Sequence, residues 1–317
     1  MRTVLIASQK GGVGKTSLVA GLGGLAARDE PGRRVLLIDG DQQANLSRRN
    51  YGIEGDSGRG LYATIVLGEP LKLQRDVRPG LDLVPGGPAL SMVSGAKASA
   101  DAAGFAMNGN LRLALEALAA AGEYALVLID LGPGDVALLD AALEAVQFVL
   151  APHREDDADL DGVELLVKRV LRARRDFNPS LQLLGTVAFA RDPRASARNR
   201  ATEDEVRALL DGSGVEPFRA SIRHAPAAAR DARSSSLTLQ ELLAASEQAS
   251  SDRISMLRRR NKTGKHATTS ERSLWARPDA VEALAMDYLA VLRELTQRMV
   301  DHENHTAGGT LIPVGGL

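Results

Sequence analysis

Short apolar runs alternate with longer amphipathic segments over most of the chain. An apolar run of four to eight residues is typical of a buried strand, and apolar positions three or four residues apart are typical of a helix. Strands are predicted at 3–7, 33–39, 81–85, 124–130, 147–151, 181–190 and 217–222. Helices are predicted at 17–28, 110–121, 136–145, 159–176, 197–210 and 279–299. The alternation predicts an α/β fold, in which a doubly wound, mostly parallel sheet is flanked by helices on both faces.

The same pattern divides the chain into four parts. Residues 1–245 carry the strand and helix alternation and form the predicted α/β domain. In 246–278 the apolar periodicity gives way to Ser, Arg, Lys and Thr, which predicts a basic, exposed and mobile insertion. Residues 279–301 predict a C-terminal helix that packs on the domain, and the Gly-rich segment 302–317 predicts a disordered tail.

Composition narrows the class of protein. A hydrophobic content of 44% and a charged content of 25% are ordinary for a globular domain. The net charge of −1 does not by itself indicate that the chain binds nucleic acid. Residues 186–265 are locally basic, with 15 basic and 10 acidic residues. The absence of cysteine excludes disulfides and iron–sulfur clusters. The chain opens on a strand and has no long apolar run, so we expect no signal peptide, no membrane span and a cytoplasmic location.

A glycine-rich segment joins the first strand to the first helix. Its glycines let backbone N–H groups converge on an anion, and the helix that follows points its positive end at the same place. Lys15 supplies a charge for the β- and γ-phosphates, and Thr16 supplies a hydroxyl for Mg²⁺. A chance glycine-rich turn is the alternative. The predicted nucleotide-binding residues are Lys10, Gly11, Gly12, Val13, Gly14, Lys15, Thr16 and Ser17.

Two further strands end in aspartate. Asp39 and Asp41 follow one buried strand, and Asp130 ends another. Carboxylates close to a triphosphate would repel it. Their presence is explained if they bind a metal ion that lies between the like charges, or if they orient the attacking water. A buried strand would also hold Asp130 rigidly beside a water on Mg²⁺. Turn or capping aspartates are the alternative for all three.

The glycine-rich segment departs from the ordinary phosphate loop. Gln9 stands where G-x-x-x-x-G-K-[ST] has its first glycine, and Lys10 follows it. The resulting K-G-G-x-G-K-[ST] resembles the deviant Walker A loop of the ParA/MinD family of ATPases, and is most similar to ParA-type (Soj-like) partition ATPases. The resemblance implies that Lys10 reaches across a dimer interface to the partner's nucleotide. A solvated surface lysine is the alternative.

The aspartate motifs extend this resemblance to about residues 1–245. D-G-D-Q-Q-A-N at 39–45 is similar to the family's D-x-D-P-Q-x-N, which implies that Asp39 lies near the Mg²⁺ shell and that Asp41 polarises the attacking water. Asp130 matches the family's I-D-[CT]-P-P, although Leu131 and Gly132 replace its middle residues. The resemblance therefore implies ATP and Mg²⁺ as cofactors, catalytic residues Lys10, Lys15 and Asp41, and metal-site residues Thr16, Asp39 and Asp130.

The resemblance also implies partners. A ParA-type protein is expected to form an ATP-dependent homodimer that binds nonspecific DNA and associates with the nucleoid. A ParB-like protein or another cargo adaptor would stimulate slow hydrolysis, and no membrane partner is expected. Exposed arginines would supply phosphate contacts, and solvated or ion-paired surface arginines are the alternative. The candidates are Arg194, Arg198, Arg219, Arg223, Arg230 and Arg233.

Two other functions are compatible with the same motifs. A MinD-like spatial regulator would need a C-terminal amphipathic helix that lies on a membrane, and the Gly-rich C-terminal segment cannot form one. A metabolic enzyme on this fold is the second possibility. Its reductase form needs cysteine ligands, which the chain lacks, whereas an ATP-dependent ligase stays open.

Overall fold

A computed structural model describes residues 1–29, 34–105, 107, 109–155, 157–263 and 276–307. Its strands are β1 Arg2–Ile6, β2 Arg34–Gly40, β3 Gln74–Arg78, β4 Leu81–Val84, β5 Tyr124–Leu131, β6 Phe148–His153, β7 Gln182–Arg191 and β8 Ile222–Arg223. They form one sheet in the order β3-β4-β2-β5-β1-β6-β7-β8. Only the pairing of β3 with β4 is antiparallel among these strands. The predicted doubly wound, mostly parallel α/β sheet is confirmed.

Helices cover both faces of the sheet, and each face has its own apolar core. The helices are α1 Lys15–Asp29, α2 Arg59–Leu67, α3 Val93–Ala102, α4 Asn110–Ala121, α5 Val136–Ala145, α6 Asp157–Asp176, α7 Ser196–Leu210, α8 Pro226–Ser235, α9 Leu239–Thr263 and α10 Pro278–Ala307. Alternate residues of the central strands point to opposite faces, which is why these strands are apolar at nearly every position. One core lies under α1 and α8 to α10, and the other lies under α2 to α7.

The functional motifs meet at one edge of the sheet. β5 lies between β1 and β2, and Asp130 is the register partner of both Ile6 and Asp39. The carboxyl ends of three parallel strands therefore point to the same place. Ligands of doubly wound sheets bind outside these carboxyl ends, where neighbouring loops diverge.

The predicted insertion at 246–278 is wrong in its first part. α9 continues without a break from Leu239 to Thr263, so the boundary at 245 falls inside a helix. Leu239 and Leu242 anchor its first turn in the core, and a helix that has formed extends through polar residues at little cost. The remainder of the predicted insertion, 264–275, lies outside the described residues.

The predicted start of the tail at 302 is also wrong. α10 extends to Ala307, because its last turns still contact the domain. The guanidinium of Arg2 donates to both carboxylate oxygens of Glu303 at 2.9 and 3.0 Å, and the ring of His302 meets Phe148 edge-on at 5.8 Å. Residues 308–317 lie outside the described residues.

The strand predicted at 217–222 is wrong over most of its length, since β8 contains only Ile222 and Arg223.

No helix in the described part of the chain is long and apolar enough to cross a bilayer.

Candidate nucleotide-binding site

The turn between β1 and α1 has the backbone of a phosphate-binding loop. Gly12 and Gly14 have φ angles of 82° and 94°, in the left-handed region that favours glycine. A β-carbon at Gly14 would also lie 2.4 Å from the ring of Phe189, which rests against the loop. α1 begins at Lys15, so its positively polarised end opens on the loop.

The two lysines of the loop have different surroundings. Lys15 is buried, and its Nζ donates to the carbonyl oxygen of Lys10 at 2.7 Å. Lys10 is partly exposed, and its side chain lies against α6: a β-carbon at Gly162 would be 3.2 Å from Cγ of Lys10. Lys15 is therefore placed where phosphates would approach. The role of Lys10 across a dimer interface stays a prediction.

Asp39 and Asp130 lie side by side on β2 and β5, and both are fully buried. Neither oxygen of Asp130 has a hydrogen-bond partner of normal geometry among the described residues. Burial raises the pKa of Asp130 well above its usual range and the charge of Asp39 adds to this, while the nearby Thr16 hydroxyl and Lys15 ammonium act in the opposite direction. A buried carboxylate without a partner, close to a hydroxyl, suits a hard divalent cation.

The carboxylate of Asp39 is already hydrogen-bonded within its own loop. Its Oδ1 accepts the N–H of Asp41 at 3.2 Å, and its Oδ2 accepts the N–H and hydroxyl of Ser47 at 2.8 and 2.6 Å. Burial raises the pKa of Asp39 to about 6, although the Ser47 bonds oppose the rise. Asp39 thus shapes the loop that carries Asp41, and its place in a metal site stays a prediction. Nothing in the sequence pattern indicates Ser47.

Asp41 lies beside the turn that follows β5. It is buried, and its Oδ1 accepts the N–H of Gln43 at 2.8 Å. A β-carbon at Gly132 would lie 2.9 Å from the same oxygen. The departure from the family pattern at Gly132 therefore makes room for the carboxylate of Asp41.

A cavity of about 280 Å³ opens beside the phosphate loop. It extends from Gly12 and Ser17 to the ends of β7 and β8 and to helices α8 and α10, and its walls are mainly apolar. A concave apolar site with a few polar groups is typical of a pocket for a flat ligand such as a base. Sequence reasoning did not predict this cavity, because its lining residues come from separate elements and share no local motif. Those used below are Phe189, Arg223, His224, Ala225, Pro226 and Tyr288.

The six arginines predicted to contact DNA fall into two groups. Five are exposed, and none of these five forms an ion pair with another described residue: Arg194, Arg198, Arg219, Arg230 and Arg233. Arg223 differs, because Asp287 of α10 accepts bonds from its Nε at 2.6 Å and its Nη2 at 2.8 Å. DNA contact by any of the six stays a prediction.

Comparisons with known proteins identify the family. A family model described as an AAA domain, of ParA/MinD type, matches residues 1–183. The chain belongs to this ParA/MinD-type ATPase family. It is similar to the chromosome partitioning protein ParA of Caulobacter vibrioides, with 35% identity over 207 residues, which are 64% of this chain and 75% of that protein. The predicted resemblance and the predicted ATPase activity are confirmed.

Solved structures share the fold of this ParA/MinD-type chain. A putative plasmid partition protein from Borrelia burgdorferi bound to AMPPNP covers 94% of this chain and 99% of its own, with a TM-score of 0.64 and 17% identity. A structure described as cobyrinic acid a,c-diamide synthase from Mycobacterium smegmatis, with an ATP analogue and magnesium, is 31% identical over 64% of this chain and 78% of its own, with a TM-score of 0.53.

Proposed function

We propose that this ParA/MinD-type ATPase is an ATP-dependent dimerising switch that partitions plasmid or chromosome DNA or positions another cargo. The observation that carries the proposal is the convergence of one loop with three strand ends. In the loop, Nζ of Lys15 donates to the backbone carbonyl oxygen of Lys10 at 2.7 Å, and buried carboxylates lie at the ends of β2 and β5 beside it. Phosphoryl transfer to water depends mainly on positioning and charge neutralisation, and these groups supply both.

Mg²⁺ fits the donor set beside the loop. The Thr16 hydroxyl would bind it directly. Asp130, whose oxygens have no hydrogen-bond partner of normal geometry among the described residues, would bind it directly or through water. No group of three or more His, Asp or Glu side chains in the described part of the chain forms a metal site by itself, so triphosphate oxygens would complete the shell. When bound, the ion neutralises charge on the β- and γ-phosphates.

Each catalytic residue has a distinct task in this proposal. Lys15 contacts the phosphates from within the loop, and Asp41 orients the attacking water. Lys10 leaves its position against Gly162 and reaches the nucleotide of the partner subunit. Hydrolysis removes the γ-phosphate contact that holds the two subunits together, which makes the dimer a switch. We propose that hydrolysis is slow until a ParB-like partner or another cargo adaptor binds.

DNA binding would come from the exposed arginines. Arg194 lies in the turn before α7, Arg198 lies in the first turn of α7, and Arg230 and Arg233 lie on α8. Since these side chains have no ion-pair partner among the described residues, they are available to phosphates of any sequence. In a dimer the two sets would double the number of phosphate contacts. Nucleoid association would then depend on ATP.

A mobility shift with nonspecific DNA tests the proposal. The wild type, Lys10→Ala and Asp41→Ala are each measured with ATP, with ADP and without nucleotide, and light scattering reports the dimer. We expect binding and dimerisation only with ATP, loss of both in Lys10→Ala, and preserved or prolonged binding in Asp41→Ala. Lys72→Ala serves as the control, because this lysine is exposed and lies outside the predicted nucleotide-binding motifs. Binding that does not depend on nucleotide, or a monomer at saturating ATP, contradicts the switch.

The similarity to the diamide synthase structure keeps an ATP-dependent ligase as the second candidate. A ligase couples ATP cleavage to bond formation on a second substrate. Its turnover should therefore rise with an added carboxylic acid and amide donor, and should not respond to DNA. ATP turnover measured with each addition separates the two functions.

A further inference from the structure

The segment that leads into β8 is held by side chains of α10. Glu294 accepts the backbone N–H of Arg219 at 3.0 and 3.1 Å and that of Ala220 at 2.9 Å. Backbone donors in a sheet usually find their partner in a neighbouring strand. Here a carboxylate replaces that partner, which explains why the strand predicted at 217–222 shrinks to two residues.

Arg298 completes the same support from one turn further along α10. Its guanidinium donates to the carbonyl oxygens of Leu184 at 2.7 Å, Glu216 at 2.5 Å and Pro217 at 2.8 Å. It also lies 4.2 Å from the centre of the Phe218 ring. Several charge-assisted bonds and a cation–π contact therefore fix the segment on α10.

Asp287 extends this support to the edge of the nucleotide cavity. It accepts the backbone N–H of Arg223 at 3.0 Å, in addition to the Nε and Nη2 bonds, and only 16% of its side chain is exposed. Because backbone and side chain are bound by one carboxylate, Arg223 has little freedom to move. The three residues that follow it, His224, Ala225 and Pro226, line the cavity.

The helix that carries Asp287 also lines the cavity. Its neighbour Tyr288 lines the cavity, and so does Leu284 one turn earlier on α10. A β-carbon at Gly21 of α1 would lie 2.5 Å from the Tyr288 ring, so α10 and α1 are in close contact. One carboxylate thus sets the distance between the β8 turn and the α1 and α10 wall.

We propose that Asp287 is a positioning residue of the nucleotide site, which fixes β8 and the turn after it against the cavity and so sets the affinity for the nucleoside part of the ligand. The inference rests on a triphosphate bound in the loop with its base in the cavity. It assigns Arg223 to the same structural task and not to DNA.

The proposal is tested by comparing the complete nucleotide with its triphosphate part alone. The phosphate loop would hold the triphosphate with its own backbone and Lys15, whereas the Asp287 carboxylate bonds to Arg223 at the other end of the cavity lining. Loss of the Asp287 support should therefore weaken binding of ATP but not binding of inorganic tripolyphosphate. A residue that merely stabilises the fold would weaken both equally or neither.

The experiment measures both ligands on the full chain with Mg²⁺, by calorimetry or by displacement of a fluorescent ATP analogue. Asp287→Asn removes the charge at constant shape, and Arg223→Lys keeps a charge but loses the two-point contact. We expect the Kd for ATP to rise about tenfold in each, with the Kd for tripolyphosphate within about twofold. Glu282→Gln, at an exposed glutamate on the same helix, is the matched control and should change neither.

Several outcomes would overturn the inference: unchanged ATP affinity in both variants, equal weakening of the two ligands, or loss of DNA binding in Arg223→Lys with normal ATP affinity. Thermal unfolding of each variant identifies misfolding, and if Asp287→Asn is unfolded Arg223→Lys decides alone. Failure of the partition proposal is distinguishable, since the ATP-to-tripolyphosphate comparison uses neither DNA nor the dimer.

Discussion

The carboxylate of Asp41 lies directly against the backbone of Gly132. A β-carbon at that glycine would be 2.9 Å from Oδ1 and 3.1 Å from Cγ of Asp41, which is closer than side chains normally approach. The two residues come from different strand ends, after β2 and after β5. The position of the proposed water-orienting group therefore depends on the absence of a side chain at Gly132, directly after β5.

Gly132→Ala should uncouple ATP binding from ATP turnover. The added methyl group displaces Asp41, whereas the phosphate loop is untouched. We expect turnover to fall by about 10- to 100-fold while ATP affinity stays within about threefold. Turnover and equilibrium binding are measured on the same preparation. Gly95→Ala is the control, because its β-carbon would meet nothing within 4 Å, and normal turnover in Gly132→Ala would contradict the role given to Asp41.

Gly162→Ala should release Lys10 from its position on α6. The methyl group would lie 3.2 Å from Cγ of Lys10, and the flexible lysine can move away at little cost. The replacement also favours the helix by about 1 kcal/mol, so stability should not fall. We expect an unchanged or higher melting temperature together with a larger ATP-dependent dimer fraction by light scattering. A lower melting temperature, or a dimer fraction unaffected by the substitution, would count against a resting position for Lys10.

Asp82→Asn should lower the free energy of unfolding far more than Asp76→Asn does. Both carboxylates bind the guanidinium of Arg34, but Asp82 is fully buried and also accepts the Tyr124 hydroxyl at 2.5 Å, whereas the Asp76 side chain is 71% exposed. Removing one partner of a buried ion pair costs about 3 kcal/mol, and an exposed pair contributes less than about 1 kcal/mol. Urea unfolding of the two variants measures this difference. Equal losses would show that burial does not set the strength of the cluster.

His302 should make the stability of the protein depend on pH. Burial, and then the charge of Arg174, lower its pKa below the usual 6.5. The unfolded chain therefore binds a proton that the folded chain excludes, so the free energy of unfolding should rise as pH increases towards about 6.5 and level off above it. His302→Asn should flatten this rise below about pH 6.5. Identical pH profiles for the two proteins would place His302 in a solvated segment, as the sequence suggested.

The sequence predicted most of the central sheet because its strands are buried on both faces. β1, β2, β5 and β6 are apolar over nearly their whole length, and a run of that kind has few other interpretations. β3 was missed for the opposite reason: Gln74–Arg78 is an edge strand whose residues are mainly exposed, so it has no apolar run. α9, at Leu239–Thr263, was not predicted at all, because most of its turns are polar and depend on an apolar anchor in the first turn.

The candidate site was likewise predicted only in part. Lys10, Lys15, Asp41 and Asp130 follow from spacing within short segments, and the structure brings them to one edge of the sheet. The residues that support them carry no local pattern that indicates this role. They become visible only when the strands are side by side: Ser47, Gly132, Gly162 and Asp287.

The hold of α10 on the β8 segment has a consequence for biosynthesis. Arg223 leaves the ribosome well before Asp287, the group that fixes it, has been translated. The wall of the cavity is therefore unfinished while the phosphate loop, near residue 10, has long been available. If Asp287 has the proposed role, a growing polypeptide gains its full affinity for the nucleotide only after its final long helix has emerged and docked.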